Sequence, residues 1–219
     1  MSAISALRIP SRTVKPTASI IFIHGLGDTG HGWKFLSDLA RRSSEFDHIN
    51  FIFPNAPVVP VAVNNNYEMP SWFNIYQFGG AGTKHDFEGY LKSVDVAKQL
   101  IKEQIDNGVS PERIILGGFS QGGAVSLGAL TTLDFKIGGF IPLSAPIVQF
   151  LELISDPVRY NSINLETPVF HGQGLSDPIV NNESGDKGSA FFKEKLGYKK
   201  YHYETYPGLD HSVNNEELG

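Results

Sequence analysis

The chain of 219 residues contains no cysteine. That excludes disulfides, a thiol nucleophile, thiolate metal ligands and S-acylation of the chain itself. Long apolar runs are missing as well. The N-terminus carries none of signal-peptide length, and no stretch approaches the ~20 apolar residues that span a bilayer. Position 2 is serine, which excludes N-myristoylation. Any membrane contact is therefore expected to be transient and led by substrate. Basic residues are scattered, 18 Lys and Arg against 23 Asp and Glu for a net charge of −5, so no basic stripe exists for a nucleic-acid backbone. The seven histidines show no H-E-x-x-H or comparable spacing, and no metal is expected. Repeats and low-complexity segments are absent too. The expectation is a soluble intracellular protein, cytoplasmic with the nucleus left open, forming one domain over residues 1–219.

What is present is an alternation of two periods. Residues 19–23, 50–53, 113–117, 138–142, 168–170 and 201–206 are short apolar runs, the pattern of strands buried on both faces of a parallel sheet. Between them, residues 33–42 and 87–106 carry apolar positions at helical spacing, with Val94, Ala97, Leu100, Ile101 and Ile105 on one stripe. This predicts an α/β fold with a mostly parallel central sheet and helices on both faces. Residues 58–84 have no clear period and are rich in Pro, Asn, Gly and aromatics. They read as a long functional loop.

Within the strand-like run at 113–117 and its sequel lies Gly118-Phe119-Ser120-Gln121-Gly122, a G-x-S-x-G turn followed by a small-residue helix start. Such a strand-turn-helix is a nucleophile elbow: it holds a serine hydroxyl where a base can reach it. In this architecture the acid and then the base follow in chain order. His211, in the loop after residues 201–206, is the candidate base; His171 and His202 sit at strand positions and read as structural. Asp177 leaves the strand-like run 168–170 and is the candidate acid, with Asp156, Asp186 and Asp210 as alternatives. An ionised Asp there would orient the imidazole. The Gln121 amide and that of Leu26, in His24-Gly25-Leu26-Gly27-Asp28 after residues 19–23, are the candidate oxyanion donors. The same glycine loop lacks a Walker lysine and the full G-x-G-x-x-G pattern, so no nucleotide or other cofactor is expected. From the long segment, Trp72, Phe73, Met69 and Ile75 are expected to wall an acyl channel, with Val58, Val59, Val61, Val63, Tyr76 and Phe78 adding apolar surface. Each buried CH₂ would contribute roughly 0.8 kcal/mol.

Five motifs stand in one order: His24-Gly25-Leu26-Gly27-Asp28-Thr29-Gly30, Phe53-Pro54-Asn55-Ala56-Pro57, Met69-Pro70-Ser71-Trp72-Phe73, Gly117 through Ala124, and Gly208-Leu209-Asp210-His211-Ser212. Together they resemble the acyl-protein thioesterases, the small carboxylesterase/lysophospholipase branch of the α/β-hydrolases. The resemblance implies hydrolysis of long-chain acyl thioesters on S-palmitoylated proteins, with side activity on lysophospholipids and small esters. It implies Ser120, Asp177 and His211 as catalytic residues and the Leu26 and Gln121 amides as the oxyanion hole. It departs from the family pattern at Gln173, where the family has histidine, at Asn74, where it has aspartate, and at Ala145, where it has glycine. The resemblance also implies a last helix beyond the eight residues that follow His211. A general esterase for small soluble esters, or a binding module without catalysis, would use the same fold.

Overall fold

A computed structural model describes residues 4–77 and 84–218. Seven strands form one sheet in the order β1 (Ala6–Ile9), β3 (Ile49–Pro54), β2 (Ala18–Ile23), β6 (Ile114–Phe119), β7 (Gly139–Leu143), β8 (Val169–Gly174), β9 (Tyr201–Tyr206). All neighbouring strands are parallel except the β1–β3 pair at one edge. The period-two side-chain alternation of the strands feeds two cores. Ile21, Ile23, Ile52 and Leu116 face α2 (Phe87–Asp106) and α3 (Gln121–Thr132), while Phe22, Phe51 and Phe53 face Trp33 and the half-buried Leu36 and Ala40 of α1 (Lys34–Ala40). On α2 the predicted stripe is buried at Val94, Ala97, Leu100 and Ile101, and Asp86 caps the helix by accepting from the Gly89 N–H at 2.9 Å.

The sequence reading stops short in three places. The edge strand β1 is not anticipated. Residues 58–84 begin as a hairpin, β4 (Val58–Val61) with β5 (Tyr67–Pro70), antiparallel and partly exposed, with Val61 buried; prolines at 60 and 70 hide its alternation. Phe78 lies outside the described residues. Strand β8 runs four residues beyond Phe170 because His171 and Gln173 are buried polar residues that an apolar count passes over. Smaller helices, α4 (Leu151–Ile154), α5 (Asn182–Ala190) and α6 (Asn215–Leu218), complete the layers. No helix among the described residues is long and apolar enough to cross a membrane.

On α6, Glu217 is buried against Gly172, and neither carboxylate oxygen has a partner among the described residues. Burial raises its pKa to about 7 from 4.5. The fold therefore favours the protonated form. The cost is absent below pH 4.5 and is fully felt once pH passes about 7. Glu217→Gln is expected to raise the melting temperature by a few degrees at pH 8 and by less at pH 5. Thermal melts at both values decide it, and an equal effect at the two would refute the assignment.

Candidate active site

The elbow is built by steric necessity. Ser120 holds φ +53°, ψ −118° between β6 and α3, its N–H donating to Leu143 O at 2.9 Å and its carbonyl accepting from Ala124 at 3.0 Å. A Cβ at Gly122 would lie 2.0 Å from Ile23 O, and one at Gly118 2.4 Å from the Gly122 carbonyl. Only glycine fits at either position. Every residue of α3 but Thr132 is buried, so the helix that starts after Ser120 has no solvent face.

Loops at the carboxyl ends of β8 and β9 deliver the other two groups. His211 Nε2 stands 3.0 Å from Ser120 Oγ, and its Nδ1 stands 2.7 Å from Asp177 Oδ2. The other Asp177 oxygen accepts the Ile179 and Val180 N–H groups, each at 2.8 Å. Burial opposes ionisation of Asp177, but the His211 bond and the two amides outweigh it and hold the pKa below its ordinary 3.8. The stabilisation from these bonds is thus complete above pH 3.8 and lost as pH falls through the lower folded value. The rival groups lie elsewhere. His171 is fully buried on Tyr201 Oη at 2.8 Å, and burial, with Lys193 nearby, pushes its pKa down to about 3. His202 is exposed and pairs with Glu204 at 2.9 Å. Asp156 pairs with Arg159, Asp186 accepts from Asn182, and Asp210 accepts from Ser212 Oγ.

The glycine loop after β2 passes so close to Ser120 that a Cβ at Gly25 would lie 3.3 Å from Ser120 Cβ. Among the described residues the Leu26 N–H has no partner, and Gln121 is the first residue of α3, where helix geometry leaves the N–H unpaired. Both residues line the space beside Ser120. Buried His24 braces this loop: its Nδ1 lies 2.6 Å from Gly25 O, and its Nε2 accepts the Ala56 N–H at 3.1 Å. The ring is therefore neutral, in keeping with a pKa lowered chiefly by burial.

Ser120 opens into a cavity of about 760 Å³. Its apolar lining includes Leu26, Phe73, Ile75, Val148, Phe150 and Val180. Two of the expected wall residues stand elsewhere. Trp72 is buried at 4% exposure with its indole N–H on His24 O at 2.9 Å, and Met69 packs its sulfur beside Gly27 and Asn64; neither lines the cavity. A further wall, Pro146 with Val148, Gln149 and Phe150 after β7, is not anticipated from sequence. Its signal is topological, since ligands of parallel sheets gather at the carboxyl ends of the strands.

Comparison with known proteins is consistent along the whole chain. The phospholipase/carboxylesterase family profile matches residues 5–219. An acyl-protein thioesterase 1 of Debaryomyces hansenii is 49% identical over 222 residues, covering 98% of this chain and 93% of that protein. The acyl-protein thioesterase 1 of Saccharomyces cerevisiae is 39% identical, covering 98% and 94%. Among solved structures, Arabidopsis thaliana SOBER1 superimposes with a TM-score of 0.81 at 30% identity, covering 92% of this chain and 93% of that one. Zea mays acyl-protein thioesterase 2, at 22% identity and a TM-score of 0.79 over 99% and 95% of the two chains, supports the fold alone.

Proposed function

This chain belongs to the phospholipase/carboxylesterase family of α/β-hydrolases, and on that premise we propose that it is a serine thioesterase that removes long acyl chains from S-palmitoylated proteins. The observation that carries the reading is a serine hydroxyl within 3.0 Å of an imidazole backed by a buried carboxylate, facing an apolar cavity rather than open water. In the proposed reaction Ser120 Oγ attacks the thioester carbonyl while His211 Nε2 takes its proton. The developing oxyanion accepts from the Leu26 and Gln121 N–H groups. Collapse breaks the C–S bond, and the leaving thiolate takes the proton from His211. An acyl-Ser120 ester remains. Water, deprotonated by His211, then attacks the ester; the C–Oγ bond breaks to release the fatty acid, and His211 returns the proton to Ser120 Oγ. Asp177, held ionised by its two amides, keeps Nδ1–H bonded so that Nε2 is the free base. A cysteine thiol with an ordinary pKa near 8.5 leaves readily, which favours thioesters over unactivated amides. Lysophospholipids and small esters are proposed as side substrates, because their carbonyls would occupy the same place. The reading places the protein in the cytoplasm.

Acylated peptides of graded chain length test this. On peptide thioesters kcat/KM is expected to rise with acyl length until the cavity is filled, because remote binding energy is used in the transition state. Phe73→Ala and Ile75→Ala should reduce the rate on C16 thioesters by more than on C4, on the order of tenfold for the long chain. A flat length profile in the wild type would favour a general esterase of small substrates.

A further inference from the structure

The two oxyanion N–H groups come from segments far apart in sequence, Leu26 after β2 and Gln121 after β6. A third segment, residues 70–73, is bonded to both. Toward Leu26, Pro70 O accepts the Gly27 N–H at 2.8 Å and the Trp72 indole N–H donates to His24 O at 2.9 Å. These two bonds straddle Leu26. Toward the elbow, Gln121 Oε1 accepts the Trp72 backbone N–H at 3.0 Å, and Gln121 Nε2 donates to Phe73 O at 2.8 Å. Ser71 Oγ, which donates to Phe73 O at 2.7 Å, lies 3.4 Å from Gln121 Oε1. Ser71, Trp72, Phe73 and Gln121 are all at or below 4% exposure, so these bonds do not compete with water.

We propose that residues 70–73 act as a spacer that sets the separation of the two oxyanion donors, with the Trp72 indole N–H and the Gln121 carboxamide as the positioning groups. This rests on the catalytic reading above. A core anchor would need only the volume of an indole; it would not need its N–H aimed at a carbonyl two residues before an oxyanion donor. Likewise the first residue of α3 would not need a carboxamide that engages the backbone N–H of one residue and the backbone carbonyl of the next in the same short segment. Oxyanion donors act within a few tenths of an ångström of their best distance, so slack in the spacer shows in the transition state before it shows in substrate binding.

The test uses Trp72→Phe, which deletes the N–H, and Gln121→Met, which deletes the carboxamide at similar length. On a long-chain acyl thioester each is expected to lower kcat about 10- to 100-fold with KM within about threefold. The inhibition constant of a straight-chain alkylboronic acid, whose tetrahedral adduct places an oxygen in the oxyanion position, should weaken by the same factor. The double variant should lose much less than the product of the singles, since both loosen one spacer. A merely structural role would lower the melting temperature and leave boronate affinity of the folded protein unchanged, and that result overturns the proposal. Unchanged kcat in both folded variants overturns it too. If Trp72→Phe does not fold, substitution of Trp72 by benzothienylalanine keeps the ring shape without the N–H and decides the same question. Failure of the catalytic reading looks different: the wild type itself would then resist a fluorophosphonate at Ser120 and ignore the boronate.

Discussion

Ser120→Ala is expected to lower kcat on an acyl thioester by about 10⁴-fold or more while the protein melts at nearly its original temperature. The substitution deletes the atom proposed to attack the carbonyl and nothing else of consequence. Alanine inherits the same positive φ that serine already adopts, so the elbow gains no new strain. The backbone bonds that fix the turn, to Leu143 O and from Ala124 N–H, do not involve the hydroxyl. The proposed oxyanion donors, the Leu26 and Gln121 N–H groups, and the cavity remain, which leaves a small residual rate. Steady-state assays on purified protein, with fluorophosphonate labelling as a control, measure the loss. Retention of a tenth of the activity would refute Ser120 as nucleophile.

Asp177→Asn is expected to cost on the order of 10³- to 10⁴-fold in kcat, although it changes the side chain by a single group. The reason is local. One Asp177 oxygen accepts the Ile179 and Val180 N–H groups, and an asparagine must turn its carbonyl toward them to avoid leaving both unpaired. Its NH₂ then faces His211 Nδ1, which must become the acceptor. The ring proton moves to Nε2, the position that would receive the Ser120 proton, and the base is blocked. Asp177→Ala removes this enforced tautomer and should therefore be no worse than asparagine. If the asparagine variant keeps more than a tenth of wild-type kcat, the carboxylate is not orienting the base. Nuclear magnetic resonance of the His211 ring protons would show the tautomer directly.

Much of this arrangement is legible in the sequence where local chemistry leaves few choices. The glycines around Ser120 announce the elbow because any side chain at 118 or 122 would meet backbone atoms. The continuous apolar runs announce a sheet covered on both faces because both faces of β2, β3 and β6 do pack against helices or aromatics. Chain order points to Asp177 and His211, and the structure places the His211 ring between the two others, with Nδ1 on Asp177 and Nε2 on Ser120. What is not legible depends on tertiary contact. Trp72 and Phe73 are adjacent aromatics with the same apparent claim to the cavity, yet only Phe73 reaches it. The indole of Trp72 turns inward because a buried N–H needs an acceptor, and His24 O supplies one. No count of apolar residues reveals which of two rings will be recruited by a carbonyl contributed from 48 positions away. The wall formed by Pro146, Val148, Gln149 and Phe150 is hidden for a similar reason, since these residues face the cavity only after β7 takes its place beside β6.

The spacing of the three proposed catalytic groups along the chain has a bearing on how the protein acquires its chemistry. Ser120 sits on the middle of the sheet, but its hydrogen-bond partner His211 is 91 residues further on, beyond β9, which pairs with β8 alone at the sheet edge. During synthesis Ser120, its buried helix and the glycine loop after β2 can all be in place while His211 has yet to leave the ribosome. Contacts of such long sequence separation close late, because loop-closure entropy must be met before they reward it. A nascent or partly docked chain of this kind would hold an exposed apolar cavity and an inert serine: able to shelter an acyl chain, unable to cut one, until the edge strand zips on and the last loop folds over.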